Sequence, residues 1–125
     1  MQIDIQARPA ASVAKVTLDG GETLTSEVGA MIAMDPGITV QTSTQKKGGG
    51  GFLKGLKRML GGENLFINHF TAGAPGQSLY VGPQLLGDVI HHRLTGGTMI
   101  VQGSSWMASD ADITIDASFQ GVGKA

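Results

Sequence analysis

The sequence predicts an all-β fold, and three observations carry that expectation. Of the 125 residues, 41% are hydrophobic, only 15% are charged and 20 are glycine, a balance suited to short strands and tight turns rather than to charged surface helices. Segments rich in β-branched and apolar residues recur at strand length between clusters of Gly, Pro, Asn and Asp. The order of these segments also returns at a fixed offset along the chain. A chain of this length holds one domain with a core of its own, so residues 1–125 are read as a single β-rich domain.

Taken in order, residues 1–5 alternate in polarity and lack the basic-then-apolar organisation of a secretory signal. Residues 13–18, Val-Ala-Lys-Val-Thr-Leu, form a strand closed by Asp19-Gly20-Gly21, which tolerate turn conformations. Leu24, Val28, Met31, Ile32 and Met34 supply the next apolar stretch, and Asp35-Pro36-Gly37 stops it. Residues 38–44 are strongly β-prone. Residues 64–71 and 78–81 read as two strands joined by a loop dense in turn formers, most economically a hairpin. Further short strands are expected at 85–94, 99–102 and 113–115, with Gly96-Gly97 and Asp110-Ala111-Asp112 as punctuation. Strands at this spacing suggest a sandwich, a barrel or a β-roll.

Sliding the chain against itself sets Thr23-Leu24 on Thr98-Met99, an offset of 75 residues, and residues 33–40 on 108–115. Identity falls at Thr23, Ala33, Asp35, Ile38, Thr39, Ser43 and Gln45, so one strand-turn-strand unit reads as used twice. The first unit spans about 21–95 with an insertion at 46–62, and the second, about 96–125, is incomplete. The expectation is a piece of a longer protein, or else a chain that takes its missing strands from neighbouring subunits.

Composition excludes several function classes. A net charge of −1 gives no global field toward nucleic acid or an anionic membrane, so any such attraction must be local. The absence of cysteine excludes a disulfide framework and thiolate metal sites and fits a cytoplasmic setting. No apolar run approaches the roughly 20 residues that span a bilayer. A phosphate-binding loop fails at its chemical residue: Gly50 and Gly55 have the spacing, but Leu56 stands where lysine belongs. His91 and His92 are adjacent, so on a strand they point to opposite faces and cannot readily chelate one ion. Ser104 and Ser105 lack a nucleophile elbow. Asp35 and Asp110 read as turn residues, Glu63 as a strand-entry partner, and Trp106 as core. No catalytic residue, cofactor or metal is assigned, and the chain is read as a non-enzyme.

The concentrated signal is the insertion. It holds five of the nine basic residues, Lys46, Lys47, Lys54, Lys57 and Arg58, while Phe52, Leu53, Leu56, Met59 and Leu60 fall on one face of a short amphipathic helix. Gly55 and the short length leave that helix dependent on something to dock against. Two readings stay open: an interfacial helix whose cations meet anionic headgroups, or a loop packed on its own sheet or on a neighbour with solvated charges.

Four further motifs, 29–34 (Gly-Ala-Met-Ile-Ala-Met), 61–68 (Gly-Gly-Glu-Asn-Leu-Phe-Ile-Asn), 87–90 (Gly-Asp-Val-Ile) and 105–109 (Ser-Trp-Met-Ala-Ser), stand in a fixed order. In that order the chain resembles the mitochondrial-biogenesis family named for altered inheritance of mitochondria, together with its bacterial relatives, from about Gly21 to Phe119. The resemblance implies a fold like that of the tryptophan RNA-binding attenuation protein: a short double-stranded β-helix or β-sandwich, internally duplicated, with ring-like assembly. It also implies a longer chain than this one. The functional expectation is a non-catalytic scaffold that self-associates as a homo-oligomer. It would present Lys46, Lys47, Phe52, Leu53, Lys54, Leu56, Lys57, Arg58 and Leu60 to a partner or to an anionic membrane surface, from the cytoplasm or the inner face of a membrane. The alternative is an RNA- or small-ligand-binding ring by fold analogy, with nucleic acid disfavoured by the charge and by the 5% aromatic content.

Overall fold

The computed structural model describes residues 1–44 and 66–115. The insertion at 46–62, with its amphipathic helix and all nine expected contact residues from Lys46 to Leu60, lies outside the described residues, as does Glu63. Among the described residues the fold is all-β, as expected. The strands are β1 (Gln2–Gln6), β2 (Val13–Leu18), β3 (Thr23–Glu27), β4 (Met31–Met34), β5 (Ile38–Thr44), β6 (Phe66–Ala72), β7 (Gln77–Val81) and β8 (Ala108–Asp110). One 3-10 turn, Gly103–Ser105, is the only helical element among them. The strands form two antiparallel four-stranded sheets, ordered β1-β2-β7-β4 and β5-β6-β3-β8.

Alternation decides which side chains meet between the sheets. In the first sheet, Ile3, Val16, Leu79 and Met34 are register partners across all four strands. In the second, Val40, Phe70 and Leu24 form the matching row. Ala14, Val16, Leu18, Leu24, Ile38, Phe70, Ala72, Leu79 and Val81 make one buried cluster, edged by Ile3, Ile5, Met34, Met107 and Ala108. Glycine is needed where β3 ends: Gly29 takes φ +100, and that break lets β3 join one sheet and β4 the other.

The expected hairpin between residues 64–71 and 78–81 is not formed. β6 pairs with β3 and β5, whereas β7 pairs with β2 and β4, so the chain between them turns a corner from one sheet to the other. The corner is built locally: Gly73 N–H and Ala74 N–H donate to Gln77 Oε1 at 2.8 and 3.3 Å, and Gly76 N–H donates to Leu18 O. A Cβ on Gly73 would lie 2.9 Å from Gly37 O, so the two backbones approach as only glycine allows.

The strands expected at 85–94, 99–102 and 113–115 are also absent. Both edges of β7 are taken, by β2 and β4, so the segment that follows it cannot fold back as its hairpin partner. Trp106 is half-buried rather than core; its Nε1 donates to Ser109 Oγ at 3.2 Å beside the edge strand β8. The turn reading of the aspartates holds: Asp110 accepts Ile113 N–H through its carbonyl and Asp112 N–H through its carboxylate, and Asp35 O accepts Ile38 N–H. Asp35 also clamps the start of β7, its carboxylate accepting Ser78 N–H at 2.8 Å.

Candidate functional site

Two places in the described residues concentrate polar chemistry. The first is the outer face of the second sheet, where Gln41, His69, Thr25 and Ser109 are register partners in one row across β5, β6, β3 and β8. Thr23 and Thr71 join hydroxyls at 2.8 Å in the next row. His69 is held between two hydroxyls, with Thr25 Oγ1 at 3.3 Å from Nδ1 and Ser43 Oγ at 3.0 Å from Nε2. A hydrolytic relay needs a carboxylate on the imidazole nitrogen that faces away from the nucleophile. Here that position is a threonine hydroxyl, so the arrangement fixes the orientation of the ring without completing such a relay. Burial pushes the carboxyl of Glu27, two residues along β3 from Thr25, above its ordinary value.

The second place joins distant parts of the chain. Arg8 grips Asp88 in a two-pronged pair, Nε to Oδ1 and Nη2 to Oδ2, both at 2.9 Å. Ser12 Oγ donates to the same carboxylate at 2.7 Å, Val89 N–H donates to it at 2.9 Å, and Ser12 N–H donates to Gly87 O. Ser12 is buried, and the β1–β2 connection leads into the grip through Ala7 in the left-handed region at φ 61. This latch fastens residues 87–89 to the start of β2. The segment it fastens is strongly apolar on the outside: Leu85, Leu86, Ile90 and Ile100 are 84, 86, 78 and 89% exposed.

The bonds from Arg8, then that from Ser12, hold the Asp88 carboxyl well below the usual carboxylate range. A depressed folded pKa means the latch contributes fully above the unfolded value of about 3.9 and is lost as pH falls toward the folded one. Protection of the Ser12 and Val89 amides, taken as the exchange rate relative to the intrinsic rate at each pH, is therefore expected to be flat from neutral pH down to about pH 4 and to fall below it. In Asp88→Asn the lowered protection should already be present at neutral pH.

The nine residues expected to make contact lie outside the described residues, so neither place contains them. His69 and Asp88 were the residues that sequence reasoning passed over. Asp88 sat inside the 87–90 motif, but its partner is 80 positions away and nothing local points to Arg8. The His69 face did carry a readable signal, since Thr23/Thr25, Thr39/Gln41/Ser43 and His69/Thr71 keep polar residues at period two. His91 and His92 are exposed beside Arg93, and no group of three metal-ligating side chains converges among the described residues.

Neither a search of curated proteins nor a search of solved structures returns a match. A family model, described as mitochondrial biogenesis AIM24, matches residues 3–125, which takes in both sheets, the latch and the His69 face. With the match extending over essentially the whole chain, this protein belongs to the mitochondrial biogenesis AIM24 family.

Proposed function

We propose that the chain is a non-catalytic assembly module that self-associates and presents a surface to a partner. The family implies a role related to mitochondrial biogenesis, and the assembly reading is the form of that role which the surface chemistry favours. The observation that carries it is the apolar segment beyond β7, whose Leu85, Leu86, Ile90 and Ile100 face water on a strand-poor stretch. Leu85, Leu86 and Ile90 fall close together in the chain, and large exposed apolar surface marks interaction sites. Among the described residues the outer edges of β1, β4, β5 and β8 have no strand partner, which serves the same end. The chemistry of the His69 face supports the non-enzymatic side, because its imidazole is engaged by two hydroxyls and not by an acid.

Light scattering across a micromolar dilution series tests the reading. The expected result is a mass of at least two chains at the upper end that falls on dilution. A mass of one chain throughout would overturn it, and salt-sensitive retention on RNA by an assembled species would favour the RNA-binding ring instead.

A further inference from the structure

We propose that the depression beside Arg93 is an oxyanion site that takes a phosphate monoester. The inference goes beyond the assembly reading, since one chain alone carries the whole site. The depression holds about 390 Å³, inside the range of ~300–1,000 Å³ for small-molecule sites. His92, Arg93 and Thr95 line it from one side of a chain reversal, and Gly97 and Thr98 line it from the other. Gly96 makes the reversal at φ +86, a backbone setting that glycine takes without strain. Leu94 and Met99 complete the lining with apolar surface.

Charge fixes the sign of the ligand. Between Asp88 and Asp110 the only charged side chain is Arg93, so no carboxylate of that stretch competes for it. Asp88 itself is engaged by Arg8 and Ser12, and among the described residues Arg93 enters no ion pair. A guanidinium in the wall of such a depression favours an anion. The donors then fix its shape. Arg93 offers a planar fork of N–H groups, His92 a ring N–H, and Thr95 and Thr98 a hydroxyl each. Because these donors stand on both sides of the reversal, they suit a tetrahedral oxyanion, whose acceptor oxygens point several ways; a planar carboxylate would leave one side unused. A Cβ on Gly97 would meet nothing within 4 Å, so the backbone there is open to a ligand. Asp112 sets the boundary. It lines an adjoining depression that shares Leu94, Gly97, Thr98 and Met99, and its charge confines an anion to the Arg93 side. The ester's carbon body then lies toward Leu94 and Met99.

Titration of the whole chain with inorganic phosphate, followed through amide shifts by nuclear magnetic resonance, tests the site. Saturable shifts are expected at residues 92–99, with half-saturation on the order of 1 mM. Arg93→Gln should weaken binding by ~10-fold or more, as loss of hydrogen bonds to a charged group does. Gly97→Leu should abolish it, because the new side chain enters the depression without meeting a neighbour. Asp112→Asn should tighten it by ~2-fold through removal of a like charge. Lys15→Gln removes one cation from β2, away from the depression, and should leave binding unchanged, which separates a local site from a response to net charge. The absence of any saturable shift would overturn the site, as would shifts that chloride reproduces at equal ionic strength or that survive both Arg93→Gln and Gly97→Leu. Vesicles of phosphatidic acid against phosphatidylcholine then give the source of the phosphate. Retention on phosphatidic acid that Arg93→Gln abolishes assigns it to a lipid headgroup, and site titration without retention assigns it to a soluble ester.

Discussion

Phe70→Ala is expected to lower the free energy of unfolding by ~3–5 kcal/mol, the range for removing a fully buried aromatic ring. Phe70 is wholly buried in the middle of β6, the longest run of pairing in the second sheet, between Leu24 on β3 and Val40 on β5. Its ring fills the space between the two sheets in a cluster otherwise made of aliphatic side chains and alanine. No other residue of the cluster is aromatic, so no neighbour is large enough to swing into the void. The cost is then the lost transfer energy together with the cavity that remains. Small domains have only ~5–15 kcal/mol in total, so the variant should sit near the edge of stability at room temperature. Urea unfolding should give a lower midpoint with the slope unchanged. A loss below about 1 kcal/mol would mean that the ring does not fill a closed interior.

What could be read from the sequence about this core was local. Val13–Leu18 shows its alternation plainly, with Ala14, Val16 and Leu18 inward and Lys15 and Thr17 outward, whereas among residues 38–43 only Ile38 is buried. The all-β class followed from such segments and from their glycine-rich separators. Pairing was not local, and there the reading failed. Residues 72–77 look like a hairpin loop because hairpin loops and sheet-to-sheet corners use the same residues. The engagement of Gly73 and Ala74 by Gln77 is local and would suit either, so what distinguishes the corner is the approach of Gly73 to Gly37, an element distant in the chain. Residues 85–94 and 99–102 have strand composition, but composition does not say whether an edge is free to receive them. The latch was hidden for the same reason: Ser12, Arg8 and Asp88 are unremarkable in sequence and become a site only because β2 begins beside residue 87.

Leu79→Ala is expected to cost ~2–5 kcal/mol, and its more telling consequence is where the loss is felt. Leu79 is fully buried on β7, between Val16 of β2 and Met34 of β4, so its direct partners all belong to the first sheet. Phe70 belongs to the second. Because the chain crosses between sheets after β2, β3, β4, β6 and β7, neither sheet is a single run of consecutive strands, and neither can form without most of the chain in place. The two sheets also share one buried cluster. They should therefore unfold as one unit, in the manner of a small two-state domain. Native-state hydrogen exchange in Leu79→Ala is expected to accelerate by the same factor at Val16 and at Phe70, one amide in each sheet, and Phe70→Ala should likewise accelerate exchange at Val16 and Leu79 equally. Acceleration confined to the first sheet in Leu79→Ala would show that the sheets open separately. In that case the crossovers at Gly29 and Gly73 would be hinges between two units rather than the stitches of one.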